Sequence, residues 1–329
     1  MDYRQLGKAG IRVSELSLGP WLTFSKHLSV KHAKKIVNIA IDKGINFFDN
    51  AERYAEGMAE CLMGEVFRSY QRESLVITTK LYWGGDGVND IGLSRKHLLE
   101  GIKNSLRRLQ LDYVDIVFCH RPDPLTPIEE TILAMDKIIR DGHAIYWGTS
   151  EWSSGQIEMA YKLAQDMHCI SPSTEQSEYN LFNRYRVEEE YKKLYQKYGM
   201  GLTTWGPLAS GILTGKYSKG FPEKSRLQSE KRFIGNDFQS RIDKANRLVL
   251  LAQKLGWTPA QLSIAWILSK QFVSTVIIGA SNEDQLLENI SAVGLKNKIS
   301  PEIDNELNTI FKVNYCIPVL NQVLSYIQL

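Results

Sequence analysis

At 329 residues the chain is long enough for two average domains, or for one barrel of alternating strands and helices, which takes about 250 residues plus insertions. Forty basic against 37 acidic side chains leave a formal net charge of +3 with no long block of one sign, which argues against nucleic acid or an anionic membrane as the main partner. Cys61, Cys119, Cys169 and Cys316 form no CxxC pair, the polar start Met1 to Gly10 is not a signal peptide, and no apolar run reaches membrane-spanning length; a cytoplasmic protein with no membrane insertion is expected.

The chain opens with Tyr3 to Leu6, a Gly7-Lys8-Ala9-Gly10 turn and a short strand around Ile11 to Val13, the pattern of a β-hairpin. A small apolar strand near Leu16 to Leu18 precedes an amphipathic helix from Val30 to Lys43, which Gly44 stops. The strand Phe47-Phe48 then ends in Asp49, with Tyr54 on the loop beyond. From there helix and strand alternate. A helix over Met58 to Ser69 leads to the strand Leu75 to Lys80, and a helix from Ser94, its N-cap, to Leu109 leads to the strand Val114 to His120. A helix over Pro127 to Arg140 is followed by a strand ending in Trp147-Gly148-Thr149-Ser150. The helix Gln156 to Met167 then leads to the strand Ser173 to Tyr179, and the helix Val187 to Tyr198 to the strand Leu202 to Trp205. Helices over Ile242 to Leu255 and Pro259 to Leu268, a strand from Val273 to Gly279 and a helix over Glu283 to Val293 close the pattern.

Strands that alternate with helices through short connections, with no polar linker, predict an α/β protein: one (β/α)8 TIM barrel over residues 1–313, with an N-terminal β-hairpin and extra C-terminal helices. An open dinucleotide-binding sheet should show GxGxxG after its first strand. None is present, and Gly199-Met200-Gly201 comes late, before a strand. The long stretch 210–240, rich in Lys, Arg and Gly, and the tail 314–329 depart from the even spacing; long loops at a barrel's active face usually carry function.

The strand ends carry the chemistry. Successive strands stop at Asp49, Lys80 and His120, with Tyr54 just past the first, and in a barrel these ends converge on one axis. A lysine closing an apolar strand is costly to bury without a carboxylate, and Asp49 is the natural partner. Taken singly, Asp49 reads equally as a turn cap and Tyr54 as a half-buried aromatic; four such residues together are hard to explain as packing. Beside a fixed ammonium, Tyr54 is expected to lose its proton more readily than at its ordinary pKa of about 10, as a general acid should. His120 is placed to hydrogen-bond a substrate carbonyl oxygen.

With these four residues, the chain resembles the aldo-keto reductases. Within that family it is most similar to the voltage-gated potassium-channel β-subunit branch, through Val76-Ile77-Thr78-Thr79-Lys80, Trp83-Gly84-Gly85, Gly92-Leu93-Ser94-Arg95-Lys96-His97, Arg121-Pro122-Asp123-Pro124, Tyr146-Trp147-Gly148-Thr149-Ser150 and Gly279-Ala280-Ser281-Asn282. The resemblance implies reduction of aldehydes or ketones with hydride from NADPH, Tyr54 giving the proton; the alternative is a redox-sensing channel-regulatory module that binds NADPH and turns over slowly. It also implies a cofactor site. Asp49 and Trp21 would line it, Ser150 and Gln176 would hold the nicotinamide carboxamide, and Trp205 would stack on the ring. The turn Gly206-Pro207-Leu208-Ala209-Ser210 would approach the pyrophosphate, and Lys216 and Arg226 would meet the 2′-phosphate. Gly279, Ser281, Gln285, Glu288 and Asn289 would contact phosphate and adenine near a helix N-terminus.

Three departures from the channel-subunit pattern stand out: His120 replaces an Asn, Glu151 an Arg, and Pro20 a Thr. His120 favours catalysis, whereas Glu151 and Pro20 put two cofactor contacts in question. The N-terminal arm with which some channel subunits block the pore is not expected here. The expected partners are a small carbonyl substrate, a second copy of the chain and a channel. His27, His32, His97, His120, His143 and His168 show no metal-binding spacing, so no metal is expected. Trp21, Trp83 and Trp152 are candidates for the substrate pocket or for the core.

Overall fold

The computed structural model describes residues 1–20, 30–223, 225–229, 231, 234–235 and 237–312. Strands β1 (Tyr3–Gln5) and β2 (Arg12–Ser14) form an antiparallel hairpin. Eight further strands close into a parallel barrel: β3 (Leu16–Leu18), β4 (Phe47–Asp49), β5 (Val76–Leu81), β6 (Val114–Cys119), β7 (Ala144–Ser150), β8 (Thr174–Glu178), β9 (Gly201–Trp205) and β10 (Thr275–Ile278). Closure is made by β10, which pairs with β9 on one side and with β3 on the other (Thr275 opposite Thr203, Val276 opposite Leu16).

Around the barrel lie α1 (Val30–Asp42), α2 (Met58–Phe67), α3 (Arg95–Leu109), α4 (Ile128–Arg140), α5 (Ser154–Asp166), α6 (Lys192–Tyr198), the short α7 (Arg226–Ser229), α8 (Phe238–Leu255), α9 (Pro259–Leu268), α10 (Glu283–Ser291) and the C-terminal α11 (Pro301–Ile310). Their bounds follow local chemistry. In α1 the residues Ala33, Ile36, Val37 and Ala40 recur at helical spacing and are all buried, each large aliphatic side chain contributing about 1.5–3 kcal/mol. Ser94 caps α3 by accepting from the His97 N–H, as its place in the sequence predicts. Ser153 with Gln156, and Thr258 with Gln261, form capping boxes at α5 and α9.

Side chains alternate between the barrel axis and the helices. The lower interior is filled by Phe47, Val76, Ile116 and Phe118, which pack against Leu6 and Val13 of the hairpin; the hairpin therefore plugs the amino-terminal mouth. Gly7 makes that plug possible, because a Cβ there would lie 2.3 Å from the Gly199 carbonyl oxygen. Continuing each strand by two residues on the same face brings Asp49, Thr78, Lys80, Ser150, Gln176 and Trp205 to the upper interior. Register places Asp49 opposite Thr78, and Ser150 opposite Gln176.

Three expectations need adjustment. The helix read over 187–198 is interrupted: Arg186–Glu190 is a π-helical turn, and α6 starts only at Lys192. The strand read as ending at Lys80 continues to Leu81, which pairs with Cys119. Past Ser291 the last barrel helix tightens into a 3₁₀ segment, Ala292–Lys298. The tail 314–329 lies outside the described residues.

Candidate active site

Lys80 is wholly buried, and the three N–H donors of its ammonium meet three acceptors. It donates to Asp49 Oδ2 at 2.5 Å, to the Asn50 carbonyl at 2.9 Å and to Tyr54 Oη at 2.9 Å. Asp49 is saturated too, since its Oδ1 accepts from Thr78 Oγ1 at 2.9 Å and from Gln176 Nε2 at 3.0 Å. A buried ion pair endures only when its remaining lone pairs and protons are satisfied, and here they are. Because Lys80 already points a hydrogen at Tyr54 Oη, the phenolic proton is directed away from it.

The loop that carries Tyr54 is bent by three consecutive left-handed residues, Ala55 (φ 49°), Glu56 (φ 57°) and Gly57 (φ 86°). Gly57 is required there, as a Cβ would lie 2.9 Å from Arg108 Cδ, and Arg108 is itself held by the buried Glu60 at 2.6 Å. His120 follows β6 and is nearly buried. Its ring meets Tyr54 edge-on at 5.9 Å and Trp83 at 5.0 Å, and its Nδ1 is enclosed without a hydrogen-bond partner among the described residues.

The electrostatics correct one expectation. Burial pushes the Tyr54 phenol up, and Asp49 adds to the rise, outweighing the opposing pull of Lys80; the tyrosine is held protonated rather than made more acidic. Burial pulls the Lys80 ammonium down, but Asp49 and then Tyr54 reverse this, so Lys80 ends above its ordinary value and stays charged. His120 is driven well below the ordinary histidine range, first by burial, then by the charges of Arg121 and Lys80, and is neutral at physiological pH.

On the opposite side of the axis, Ser150 and Gln176 are both buried, and Ser150 Oγ lies 3.4 Å from Arg121 Nη1. Trp205 closes β9, and its indole N–H donates to Glu151 at 3.0 Å. The following turn is strongly bent: Gly206 (φ 68°), Ala209 (φ 46°), Ser210 (φ 56°) and Gly211 (φ 89°) are all left-handed, around Pro207 and Leu208. Such backbone presents amide groups to an anion, and strained non-glycine residues cluster where function holds them. The exposed Lys216 ammonium comes within 2.7 Å of where a Gly211 Cβ would stand. Arg226 opens α7. At the N-terminus of α10, Gln285 Oε1 accepts from both the backbone N–H and the hydroxyl of Ser281, and Asn289 Nδ2 reaches the Gly279 carbonyl at 3.4 Å. Glu288 is half-buried one turn along. A turn of left-handed residues with a lysine ammonium beside it is backbone that suits an anionic ligand. Trp21 and its contacts lie outside the described residues.

Residues 15–308 match the Aldo/keto reductase family. The chain belongs to that family. A protein of Oryza sativa subsp. japonica named "Probable voltage-gated potassium channel subunit beta" is 49% identical over 316 residues, covering 94% of this chain and 96% of its own length. A protein of the same name from Arabidopsis thaliana is 49% identical over 320 residues, covering 95% of this chain and 97% of its own.

Within this aldo/keto reductase barrel the structure adds residues that sequence reasoning did not single out. Thr78 holds Asp49 from the next strand, a contact that the two-residue period could have suggested. Arg121 donates to the His120 carbonyl at 2.6 Å, and its guanidinium lies 5.6 Å from the Trp83 ring, so it lines the same recess; its position directly after His120 was the available signal. Trp83 lies against His120, whereas Trp152 is core, its carbonyl accepting from Tyr191. Among the described residues no group of three His, Cys, Asp or Glu side chains could hold a metal, and no helix is long and apolar enough to cross a membrane.

Proposed function

We propose that this aldo/keto reductase reduces aldehydes and ketones to alcohols with NADPH, on residues Asp49, Tyr54, Lys80 and His120. The observation that carries the reading is the fully used ammonium of Lys80, which leaves the Tyr54 hydroxyl proton directed away from it. NADPH, when bound, supplies the hydride received by the carbonyl carbon. Tyr54 gives its proton to the carbonyl oxygen, completing the alcohol. The phenolate left behind sits 2.9 Å from the Lys80 ammonium, which stabilises it until solvent returns a proton. Neutral His120 donates an N–H to the same oxygen and orients the substrate.

Ser150 and Gln176 would hold the carboxamide, Trp205 the ring face, the turn Gly206 to Ser210 the pyrophosphate, and Lys216 with Arg226 the 2′-phosphate. Gly279, Ser281, Gln285, Glu288 and Asn289 would line the adenosine end. Stopped-flow absorbance of the protein with NADPH and an activated aromatic aldehyde tests this. Sustained turnover that disappears in Tyr54→Phe is expected, and undiminished turnover in that variant overturns it.

The relatives named as probable potassium channel β subunits favour a second reading, in which the same barrel regulates a channel and senses redox state by slow turnover. One fast oxidation followed by very slow cofactor exchange, together with co-purification of a channel, is its signature.

A further inference from the structure

Glu151 follows β7 in a left-handed conformation (φ 59°) that a side-chain-bearing residue adopts at a cost of about 1 kcal/mol, so something must hold it there. Its carboxylate joins three elements. Oε1 accepts from the backbone N–H of Glu178, the last residue of β8, at 2.6 Å, and from the indole N–H of Trp205, the last residue of β9, at 3.0 Å. Oε2 accepts from Nη1 of Arg186, on the π-helical turn, and Arg186 also lies 3.6 Å from Glu190. A second route reaches the next residue of the cofactor turn: Asn180 Nδ2 donates both to the Glu178 carboxylate at 3.1 Å and to the Gly206 carbonyl at 3.0 Å.

A tryptophan that ends a strand has two free χ angles, and a single hydrogen bond to its N–H selects one ring orientation. A carboxylate is otherwise a poor neighbour for a polyanionic dinucleotide, and the Arg186 guanidinium offsets its charge. Arg186 opens the π-helical turn that precedes α6, so the irregular segment of this helix is the one that meets Glu151.

We infer that Glu151 is a positioning residue, which, held by Arg186, sets the plane of the Trp205 ring and thereby the face offered to the nicotinamide. The inference rests on the reading of Trp205 and Gly206 as part of the cofactor site. It places the function of Glu151 in its two accepting oxygens, not in contact with the dinucleotide.

The test is NADPH affinity, measured without substrate by the change in nicotinamide fluorescence on binding, for the wild type, Glu151→Gln, Glu151→Ala, Trp205→Phe and Glu151→Ala/Trp205→Phe. Losing a charged hydrogen bond to the ring predicts binding about tenfold or more weaker in Glu151→Ala. Glu151→Gln, which keeps an acceptor for the indole, should retain most of the affinity. In the Trp205→Phe background, where no indole N–H remains, Glu151→Ala should have at most a small further effect. A purely structural role predicts instead that the two losses add, and additivity overturns the inference. So does wild-type affinity in Glu151→Ala alongside weakened binding in Trp205→Phe, an outcome that leaves the cofactor reading standing. Failure of the wild type to bind NADPH removes both.

Discussion

Replacing Lys80 by Met tests the central ion pair. The substitution preserves most of the side-chain volume in a site with no solvent exposure, but it strips Asp49 of the ammonium that meets its Oδ2 at 2.5 Å, while Thr78 and Gln176 still donate to the other oxygen. Breaking a buried pair by removing one member costs about 3–5 kcal/mol, because the charge left behind is uncompensated. The Asn50 carbonyl loses its donor as well, adding about 1 kcal/mol or more. Lys80→Met should therefore lower the unfolding free energy by about 4–6 kcal/mol, read by urea denaturation with tryptophan fluorescence and far-UV circular dichroism. Adding Asp49→Asn removes the stranded charge while keeping an oxygen for Thr78 and Gln176, and should restore at least half of the loss. A single variant that costs less than about 1 kcal/mol, or a double variant no more stable than the single one, would show that Lys80 and Asp49 do not form a buried ion pair in solution.

Further outcomes follow from the same geometry. Tyr54→Phe should cut reduction by about 10²–10⁴-fold in single-turnover assays, the range for loss of a positioned proton donor, with the NADPH dissociation constant nearly unchanged. Because His120 is held neutral and Tyr54 is raised above its ordinary 10.0, the reduction rate should be flat from about pH 6 to about pH 9 and fall only above pH 10 as Tyr54 loses its proton; a break near 6.5 in a kcat–pH profile would contradict this. Glu178 is raised from 4.5 to about 7, by burial first and then by Glu151, so the folded state holds a proton that the unfolded chain releases. Its stabilising share is present below about pH 4.5 and is lost as pH rises through about 7; relative to wild type, Glu178→Gln should gain up to about 3 kcal/mol across that window, less for the partial exposure of the carboxyl, in urea unfolding at pH 5 and pH 8. Gly57→Ala combines a left-handed φ of 86° with a contact 2.9 Å from Arg108, so it should destabilise the fold by about 1 kcal/mol or more and lower kcat by displacing the Tyr54 loop, with NADPH affinity retained.

The barrel was legible because its signals are local and repeat: most strands contain a short apolar run, several helices carry their own side-chain cap, and Ser94 could be placed from the sequence alone. Asp49, Lys80 and His120 were legible for a related reason, since polar residues at the ends of apolar strands are conspicuous and a barrel brings strand ends together. What escaped were the contacts between distant side chains that no strand-end pattern announces. The interruption at Arg186–Glu190 has no local breaker to announce it, and its contacts lie with Glu151, 35 residues away. From the sequence, Glu151 registered only as a departure from the channel-subunit pattern. Its two N–H partners come from the ends of β8 and β9, and no spacing rule connects them.

The proton affinity of Tyr54 shows the same limit and has the larger consequence. From the sequence, a cation beside the phenol points to greater acidity, but how much water the loop excludes is a tertiary quantity, and burial prevails. The division of labour follows from which charges reach which group. Lys80 and Arg121 both lower His120 on top of its burial, so it carries no imidazolium proton near neutrality. Tyr54 keeps its proton throughout that range. In the proposed reaction His120 is therefore a neutral hydrogen-bond donor and Tyr54 the acid. The contribution of Lys80 is greatest after the proton has left, when a phenolate replaces a phenol 2.9 Å from its ammonium. An interaction that strengthens as charge develops lowers the barrier rather than the ground state. This gives a reason for a barrel to bury a lysine at the cost of supplying it with Asp49, Asn50 and Tyr54 as partners.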